Sequence, residues 1–176
     1  YLPLETPTSI RLIVIEPGAT DAPLVCKLAH VDLSINPPYE AISYVWGTPV
    51  YSHHFSCNGR IMRMTGSLHE ALLRVRLPDR RRTIWADGIC INQADLQERG
   101  HQVKFMRDVY QKAHRVLVWL GSDPSSVAPA VFTSFRRLSQ GKSISPNVPF
   151  SIFARCKWFS RLWVLQEIIL AKRAIL

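Results

Sequence analysis

The stretch Thr83-Ile-Trp-Ala-Asp-Gly-Ile-Cys-Ile-Asn-Gln-Ala-Asp-Leu-Gln-Glu-Arg99 predicts a strand, a polar loop and the start of a helix in close succession. Residues 83–86 are the β-branched, aromatic and small apolar residues of a short buried strand. Asp87 follows at the carboxyl end of this strand, and Gly88 allows the backbone to turn. Open α/β sheets place their ligand sites in this layout, with polar groups beyond the carboxyl end of a strand.

The loop after this strand is rich in polar residues. It contains Asn92, Gln93 and Asp95, and Asp95 has the spacing of a capping box with Glu98, which predicts that a helix begins there. A second interpretation is that Asp87 and Asn92 only satisfy backbone groups in a tight turn. The local pattern supports the two interpretations equally.

The composition favours a single folded domain over residues 1–176. Apolar residues make up 47% of the chain, enough for a substantial core, and charged residues make up 20%, too few for a disordered chain. The net charge of +9 permits a nucleic-acid or anionic-membrane partner. The basic residues are scattered, however, and the only dense run, Arg80-Arg81-Arg82, fits a solvated loop or a pocket for a phosphate-bearing small molecule.

The four cysteines lack the close spacing of a zinc site, so we expect no bound metal. Cys90 lies between two isoleucines and is predicted to be a small core residue. This cysteine usage suits a reducing compartment such as the cytoplasm. No signal peptide is recognisable, and no stretch is long enough to span a bilayer. The chain lacks an initial Met and ends in an apolar tail, so we expect it to be an excised part of a larger multidomain protein.

Hydrophobic periodicity and turn signals predict an alternation of strands and helices. The predicted strands cover residues 10–16, 24–33, 39–47, 54–57, 60–64, 83–86 and 116–121, and the predicted helices cover residues 95–113, 127–138 and 161–172, with another from Thr65 or Ser67 to Pro78. This alternation implies an α/β fold with a mainly parallel sheet and helices on both faces. Asn58-Gly59 adds an antiparallel β-hairpin near the N-terminus.

Glu167, on the last predicted helix, is the second carboxylate of interest. Its neighbours on the adjacent helical turns are apolar, so it lacks the usual helical ion pair. Burial of this face would raise the pKa of the Glu167 carboxyl, which acid–base catalysis can use. The alternative is structural: Glu167 binds an arginine or backbone amides and fixes the helix in place, and Arg161 has a similar structural role.

A third polar and aromatic cluster lies at the end of another predicted strand and contains Ser43, Tyr44 and Trp46. Trp46 can stack on a flat ring such as adenine or nicotinamide, although composition alone favours a core role. The chain has no Gly-x-Gly-x-x-Gly motif, no P-loop and no nucleophile elbow. Dehydrogenases, kinases and ordinary hydrolases therefore lack their sequence signatures here.

Three blocks of sequence together resemble the fungal heterokaryon-incompatibility (HET) domain. They are Tyr39-Glu-Ala-Ile-Ser-Tyr-Val-Trp-Gly47, Ile84-Trp-Ala-Asp-Gly-Ile-Cys-Ile-Asn-Gln-Ala-Asp-Leu-Gln-Glu-Arg99 with Met106 to Ala113, and Trp158-Phe-Ser-Arg-Leu-Trp-Val-Leu-Gln-Glu167. Their order and length make the resemblance specific, and one departure is Gly88, where alanine is usual. The resemblance implies a role in fungal self/non-self recognition, in which the domain triggers programmed cell death.

HET domains are thought to be distant relatives of Toll/interleukin-1 receptor (TIR) domains. The resemblance therefore implies a flavodoxin-like parallel sheet and cleavage of NAD as a substrate, with no other cofactor. TIR-type NAD hydrolases often carry their catalytic glutamate in a Trp-x-x-x-Glu arrangement, and Trp163 and Glu167 have that spacing. The expected site has Glu167 and Asp87 as catalytic residues, and the expected substrate-binding residues are Ser43, Tyr44, Trp46, Asn92, Arg161 and Trp163.

Two other functions remain open at the level of the sequence. In the first, the same blocks build a non-enzymatic signalling module that associates with itself or with partner domains. In the second, the positive charge binds nucleic acid in a salt-sensitive manner, although no recognition motif supports specific nucleic-acid binding.

Overall fold

The computed structural model describes residues 1–123 and 125–176, and within these residues eight strands form one sheet. The strands are β1 (Ser9–Ile15), β2 (Val25–Asp32), β3 (Glu40–Tyr44), β4 (His53–Cys57), β5 (Arg60–Met64), β6 (Arg82–Trp85), β7 (Val116–Trp119) and β8 (Ala174–Ile175). Their order in the sheet is β5-β4-β2-β1-β6-β3-β7-β8.

The sheet is mixed rather than mainly parallel, which corrects the sequence-based expectation, whereas the α/β class is confirmed. Strands β6, β3, β7 and β8 run parallel to one another, but β1 is antiparallel to both β2 and β6. The connection from β1 to β2 covers only residues 16–24. A parallel crossover needs a dozen or more residues, so this short connection forces an antiparallel pair.

The predicted hairpin at Asn58-Gly59 is confirmed. Strands β4 and β5 pair antiparallel with Cys57 opposite Arg60. Asn58 and Gly59 have φ angles of 51° and 73°. Two consecutive residues with positive φ are the requirement of a type I′ turn, which Asn-Gly satisfies with little strain.

Three of the predicted helices are confirmed, and the fourth is shorter than expected. The helices are α1 (Gly66–Val75), α2 (Asp87–Cys90), α3 (Leu96–Lys112), α4 (Ala128–Ser139), α5 (Phe150–Phe153) and α6 (Val164–Ile169). The last predicted helix, residues 161–172, is reduced to α6 because the chain must return to the sheet, where Ile175 pairs with Leu117 of β7. None of the helices in the described part of the chain combines the length and apolar character needed to cross a bilayer.

Helices pack on both faces of the parallel part of the sheet. Adjacent residues of a strand point to opposite faces. Ser43 of β3 contacts Glu167 of α6, whereas its neighbour Tyr44 lies on the opposite side, against Leu68 of α1 and Gly88. On the Ser43 side, Trp85 of β6 also packs edge-on against a tyrosine of α3, with ring centroids 5.4 Å apart.

The start of α3 is anchored by a buried ion pair. Asp95 caps the helix by accepting hydrogen bonds from the backbone N–H groups of residues 97 and 98, as predicted. Glu98, however, does not complete the capping box. Its carboxylate instead accepts hydrogen bonds from the Arg11 guanidinium at 2.5 and 2.8 Å and from the Asn92 backbone N–H at 2.7 Å. Arg11, on β1, is completely buried, so this pair ties α3 to the sheet.

Breaking this pair is expected to destabilise the fold. Because Arg11 is fully buried, Arg11→Met leaves the partly buried Glu98 carboxylate without its partner, and we expect a loss of about 3 kcal/mol in the free energy of unfolding. The double variant Arg11→Met/Glu98→Leu replaces both charges and should recover much of that loss. Urea denaturation of the wild type and the two variants measures both effects, and a double variant no more stable than Arg11→Met would contradict the prediction.

Candidate functional site

A cleft of about 550 Å³ opens beyond the carboxyl ends of β3 and β6. It brings together four residues that the sequence had singled out from three separate blocks: Trp46, Asp87, Arg161 and Trp163. The carboxyl ends of neighbouring parallel strands meet at one edge of a sheet, and β3 and β6 are such neighbours. The topology therefore explains why residues 46 and 87 lie side by side.

Asp87 is the carboxylate that reaches this cleft. It is partly buried, and its Oδ2 accepts a hydrogen bond from the Trp46 indole N–H at 2.9 Å. Its Oδ1 accepts a second hydrogen bond from the Gly88 backbone N–H at 2.7 Å. Burial raises the pKa of the Asp87 carboxyl above its usual value, although these hydrogen bonds and the nearby Tyr44 hydroxyl oppose the shift. The indole N–H of Trp46 thus orients a carboxylate.

Tyr44 and Gly88 pack against each other beside Asp87. Tyr44 is buried, with only 3% of its surface exposed. A Cβ added at Gly88 would lie 2.5 Å from the Tyr44 hydroxyl oxygen and 3.2 Å from a methyl carbon of Leu68. In this chain, therefore, the missing side chain at residue 88 leaves the space that the tyrosine hydroxyl occupies.

Glu167 lies behind the cleft rather than in its wall, and only 1% of its surface is exposed. Its Oε2 accepts a hydrogen bond from the Ser43 hydroxyl, which in turn accepts one from the Trp158 indole N–H at 2.7 Å. The Arg161 guanidinium forms an ion pair with Glu167 at 3.2 Å. The structural alternative raised by the sequence, an arginine partner for Glu167, describes this contact.

Arg161 separates the two acids. It lines the cleft on one side and covers the Glu167 carboxylate on the other. Burial raises the pKa of the Glu167 carboxyl, the negative charge of Asp87 raises it further, and Ser43 and Arg161 oppose the shift. Arg161 thus pairs with Glu167 and lines the same cleft as Asp87.

The remaining predicted residue, Asn92, lies in the loop before α3. Its side-chain oxygen accepts a hydrogen bond from the Ala94 backbone N–H at 3.3 Å. Its own backbone N–H binds Glu98. Within the described residues these contacts shape the loop, and Asn92 is not part of the cleft lining.

Gln93, Arg99, Val103 and Met106 are among the further residues that line the cleft and that the sequence had not assigned to a site. Gln93 donates a hydrogen bond of 2.9 Å to the Asp87 backbone carbonyl. The other three recur at helical spacing on α3, and this periodicity was the only signal available. It showed that they share a face of the helix, but not that part of this face borders a cleft.

Two other expectations concern metals and the basic run. Across residues 1–123 and 125–176, no three His, Cys, Asp or Glu side chains are grouped to hold a metal ion.

The arginines of the run 80–82 each contact a carboxylate: Arg80 pairs with Asp79, Arg81 with Glu16, and Arg82 with Glu40. Each arginine of the run therefore has an acidic partner, although Glu16 also pairs with Lys27 and Glu40 with Arg115.

The chain is thus an α/β domain in which a hydrogen-bonded aspartate, an arginine and two tryptophans share a cleft at the edge of the sheet. The family model described as Heterokaryon incompatibility protein (HET) matches residues 39–167, which contain all of these side chains. This chain belongs to the HET family.

Two curated fungal proteins are similar to the chain. Heterokaryon incompatibility protein 6, OR allele, of Neurospora crassa is 30% identical over 223 aligned positions, which cover 96% of this chain and 33% of that protein. Vegetative incompatibility protein HET-E-1 of Podospora anserina is 28% identical over 136 positions, which cover 76% of this chain and 9% of that protein. The chain thus spans a third or less of the length of these relatives. No solved structure matches it significantly.

The contact between residues 44 and 88 can be tested by substitution. Gly88→Ala is expected to lower the free energy of unfolding by about 1–3 kcal/mol, because the new methyl group overlaps the buried Tyr44 hydroxyl. The same substitution in a Tyr44→Phe background should cost less, because the overlapping oxygen is gone. Urea denaturation of the four proteins gives the coupling, and an equal cost in both backgrounds would place the clash elsewhere.

The raised pKa of Asp87 predicts a pH dependence. Because its folded-state pKa lies above the unfolded value, folding disfavours the ionised carboxylate, and this penalty disappears as the pH falls through the raised pKa. The free energy of unfolding of the wild type, relative to Asp87→Asn, should therefore increase as the pH is lowered from about 7 to about 4. Denaturation at several pH values measures this difference, and a decrease on acidification would contradict it.

Proposed function

We propose that this chain acts in fungal self/non-self recognition as the domain that triggers programmed cell death, and that it cleaves NAD or a related nucleotide at the N-glycosidic bond. The biological part of the proposal is supported by membership of the HET family and by the names of the two fungal relatives. The proposed setting is the cytoplasm, as part of a larger protein whose other domains assemble or regulate this one.

The chemical part rests on one observation: Asp87, Arg161, Trp46 and Trp163 converge on one cleft of about 550 Å³. These groups can bind a nucleotide: a carboxylate can accept hydrogen bonds from the ribose hydroxyls, a guanidinium can pair with a phosphate, and an indole can stack on a base. A distant relationship to TIR domains is part of the proposal. It is supported by the parallel run β6-β3-β7-β8 and by the Trp163–Glu167 spacing.

In the proposed reaction, water attacks C1′ of the nicotinamide ribose and the bond to nicotinamide breaks. The transition state resembles an oxocarbenium ion, which a nearby carboxylate stabilises. Nicotinamide leaves as a neutral ring with the electron pair of the broken bond, so no general acid is needed. The water proton passes to Asp87 or to solvent, and the other product is the ribose with its remaining diphosphate and base.

In this proposal, the role of Glu167 depends on a movement of Arg161. Arg161 covers it in the present structure, so the Glu167 carboxylate reaches a ribose only when Arg161 moves toward a ligand phosphate. Asp87 then serves as the first carboxylate of the site, and Glu167 as the second. Tyr44 orients Asp87, and Ser43 orients Glu167. Asn92 holds the loop before α3 in place, and Trp46 and Trp163 contact the base of the nucleotide.

A second candidate function is a non-enzymatic signalling module, which the burial of Glu167 favours. Under this alternative, the carboxylate that is 1% exposed and bound by a serine and an arginine serves to attach α6 to the sheet. The domain then acts by self-association or by binding of partner domains, and the cleft catalyses no reaction.

The two functions predict different outcomes when the concentrated chain is incubated with NAD. Under the enzymatic proposal, nicotinamide is released, and Asp87→Asn reduces the rate by about 100-fold or more, since one side chain of this kind supplies 10² to 10⁴ in rate. Glu167→Gln should reduce it to a similar extent. Chromatography of the products measures the release.

Asp79→Asn is the matched control, because it removes an exposed carboxylate that contacts only Arg80. It should leave the rate unchanged, and circular dichroism and urea denaturation should show that all variants remain folded. If the wild type releases no nicotinamide at any concentration and Glu167→Gln unfolds, the enzymatic proposal fails and the signalling module stands.

A further inference from the structure

The charge of the chain is distributed very unevenly. Residues 125–176 contain eight lysines and arginines but a single acid, Glu167, so seven of the nine net positive charges lie in this segment. Glu167 is buried and paired with Arg161. Among the described residues, Arg161 is also the only one of these eight cations within 4.0 Å of a carboxylate. The surface of the segment is therefore strongly and almost exclusively positive.

The same segment exposes large apolar side chains along one side of α6. Leu162 is 84% exposed, Leu165 is 59% exposed and Ile169 is 72% exposed. Leu165 and Ile169 are four residues apart on α6, on the side opposite the buried Glu167, and Leu162 lies in the turn just before the helix. We call Leu162, Leu165 and Ile169 the α6 face, together with the exposed cations Arg155 and Lys157, which precede them in the same segment.

The α6 face continues into further exposed aromatic side chains. Trp163 is 46% exposed and Phe159 is 44% exposed. Phe159 contacts Phe153, with ring centroids 5.4 Å apart, and Phe153 contacts Phe135 of α4 at 6.0 Å. Phe135 is itself 43% exposed. Aromatic contacts therefore connect residue 159 to α4, within a segment whose exposed charged side chains are all cations.

We propose that the α6 face binds the surface of a bilayer that contains anionic lipids. Protruding leucine, isoleucine and phenylalanine side chains beside lysine and arginine are the composition of peripheral membrane-binding segments. A nucleic acid would pair with the cations but would leave the three aliphatic side chains in water. A bilayer accommodates both, because the acyl region accepts the aliphatic groups and the anionic headgroups accept the cations.

The contact is peripheral, and it does not depend on the proposed nucleotide cleavage. It involves side chains on the outer side of α6, whereas Arg161 and Glu167 face the cleft and the core. A substitution on the outer side should therefore affect membrane binding and leave the fold and the release of nicotinamide unchanged.

Co-sedimentation with vesicles tests the proposal. The wild-type chain should bind vesicles of phosphatidylcholine and phosphatidylserine in equal parts, and should not bind pure phosphatidylcholine. Leu162→Ser/Leu165→Ser/Ile169→Ser should weaken binding at least about tenfold, because the aliphatic anchor is lost. Arg155→Gln/Lys157→Gln should weaken it about thirtyfold, since each cation near an anionic surface contributes about one kcal/mol.

Two control variants change exposed residues outside residues 125–176. Ile35, Ile61 and Leu96 are 75%, 79% and 69% exposed, so their triple serine variant removes a similar apolar area from other surfaces. Arg60→Gln/Arg63→Gln removes two exposed cations from the hairpin β4–β5. Both controls should bind phosphatidylserine vesicles like the wild type.

Four results would overturn the proposal. The first is failure of the wild type to bind phosphatidylserine vesicles, and the second is an equal loss of binding in the control variants. The third is a concentration-dependent dimer in light scattering that the α6 triple variant abolishes, without vesicle binding by the wild type, since this would make the face a contact between two copies of the chain. Binding to single-stranded RNA alone would likewise replace the bilayer by a nucleic acid.

Discussion

The bond between Ser43 and Glu167 is the constraint on which the C-terminal part of this domain depends. It joins β3, in the centre of the parallel run, to a helix of six residues that is too short to be stable alone. Trp158 extends the contact through Ser43, and Arg161 compensates the buried charge. Because this attachment holds Arg161 at the edge of the sheet, the same contact that fixes the helix also shapes one wall of the cleft.

The cleft combines two acids whose environments differ. Asp87 is held by the Trp46 indole and by a backbone N–H, and it faces the open space. Glu167 is sealed behind an arginine. Burial raises the pKa of both carboxyls, and such shifts are typical of functional sites as well as of structural ion pairs. Arg161 contacts one of these acids and lines the same cleft as the other.

Much of the fold followed from local patterns, and the errors have definite causes. Asn58-Gly59 predicted its hairpin because a type I′ turn requires two residues with positive φ, which this pair tolerates. Asp95 predicted the start of α3 for a similarly local reason. Glu98 did not complete the capping box because Arg11, 87 residues away, offered a stronger partner. The last helix was predicted too long because its apolar pattern does not reveal that the chain must re-enter the sheet beside β7.

The sequence by itself determined the α/β class, the helix start and hairpin, the family and four of the residues that meet in the cleft, because each of these depends on neighbouring residues or on a distinctive motif. Only the tertiary structure decided that the sheet is mixed, that Arg161 covers Glu167, and that Arg99 and Met106 complete the cleft wall. These features depend on residues far apart in the chain. Which partner a buried charge finds is set by the packing of whole elements, and no local pattern contains that information.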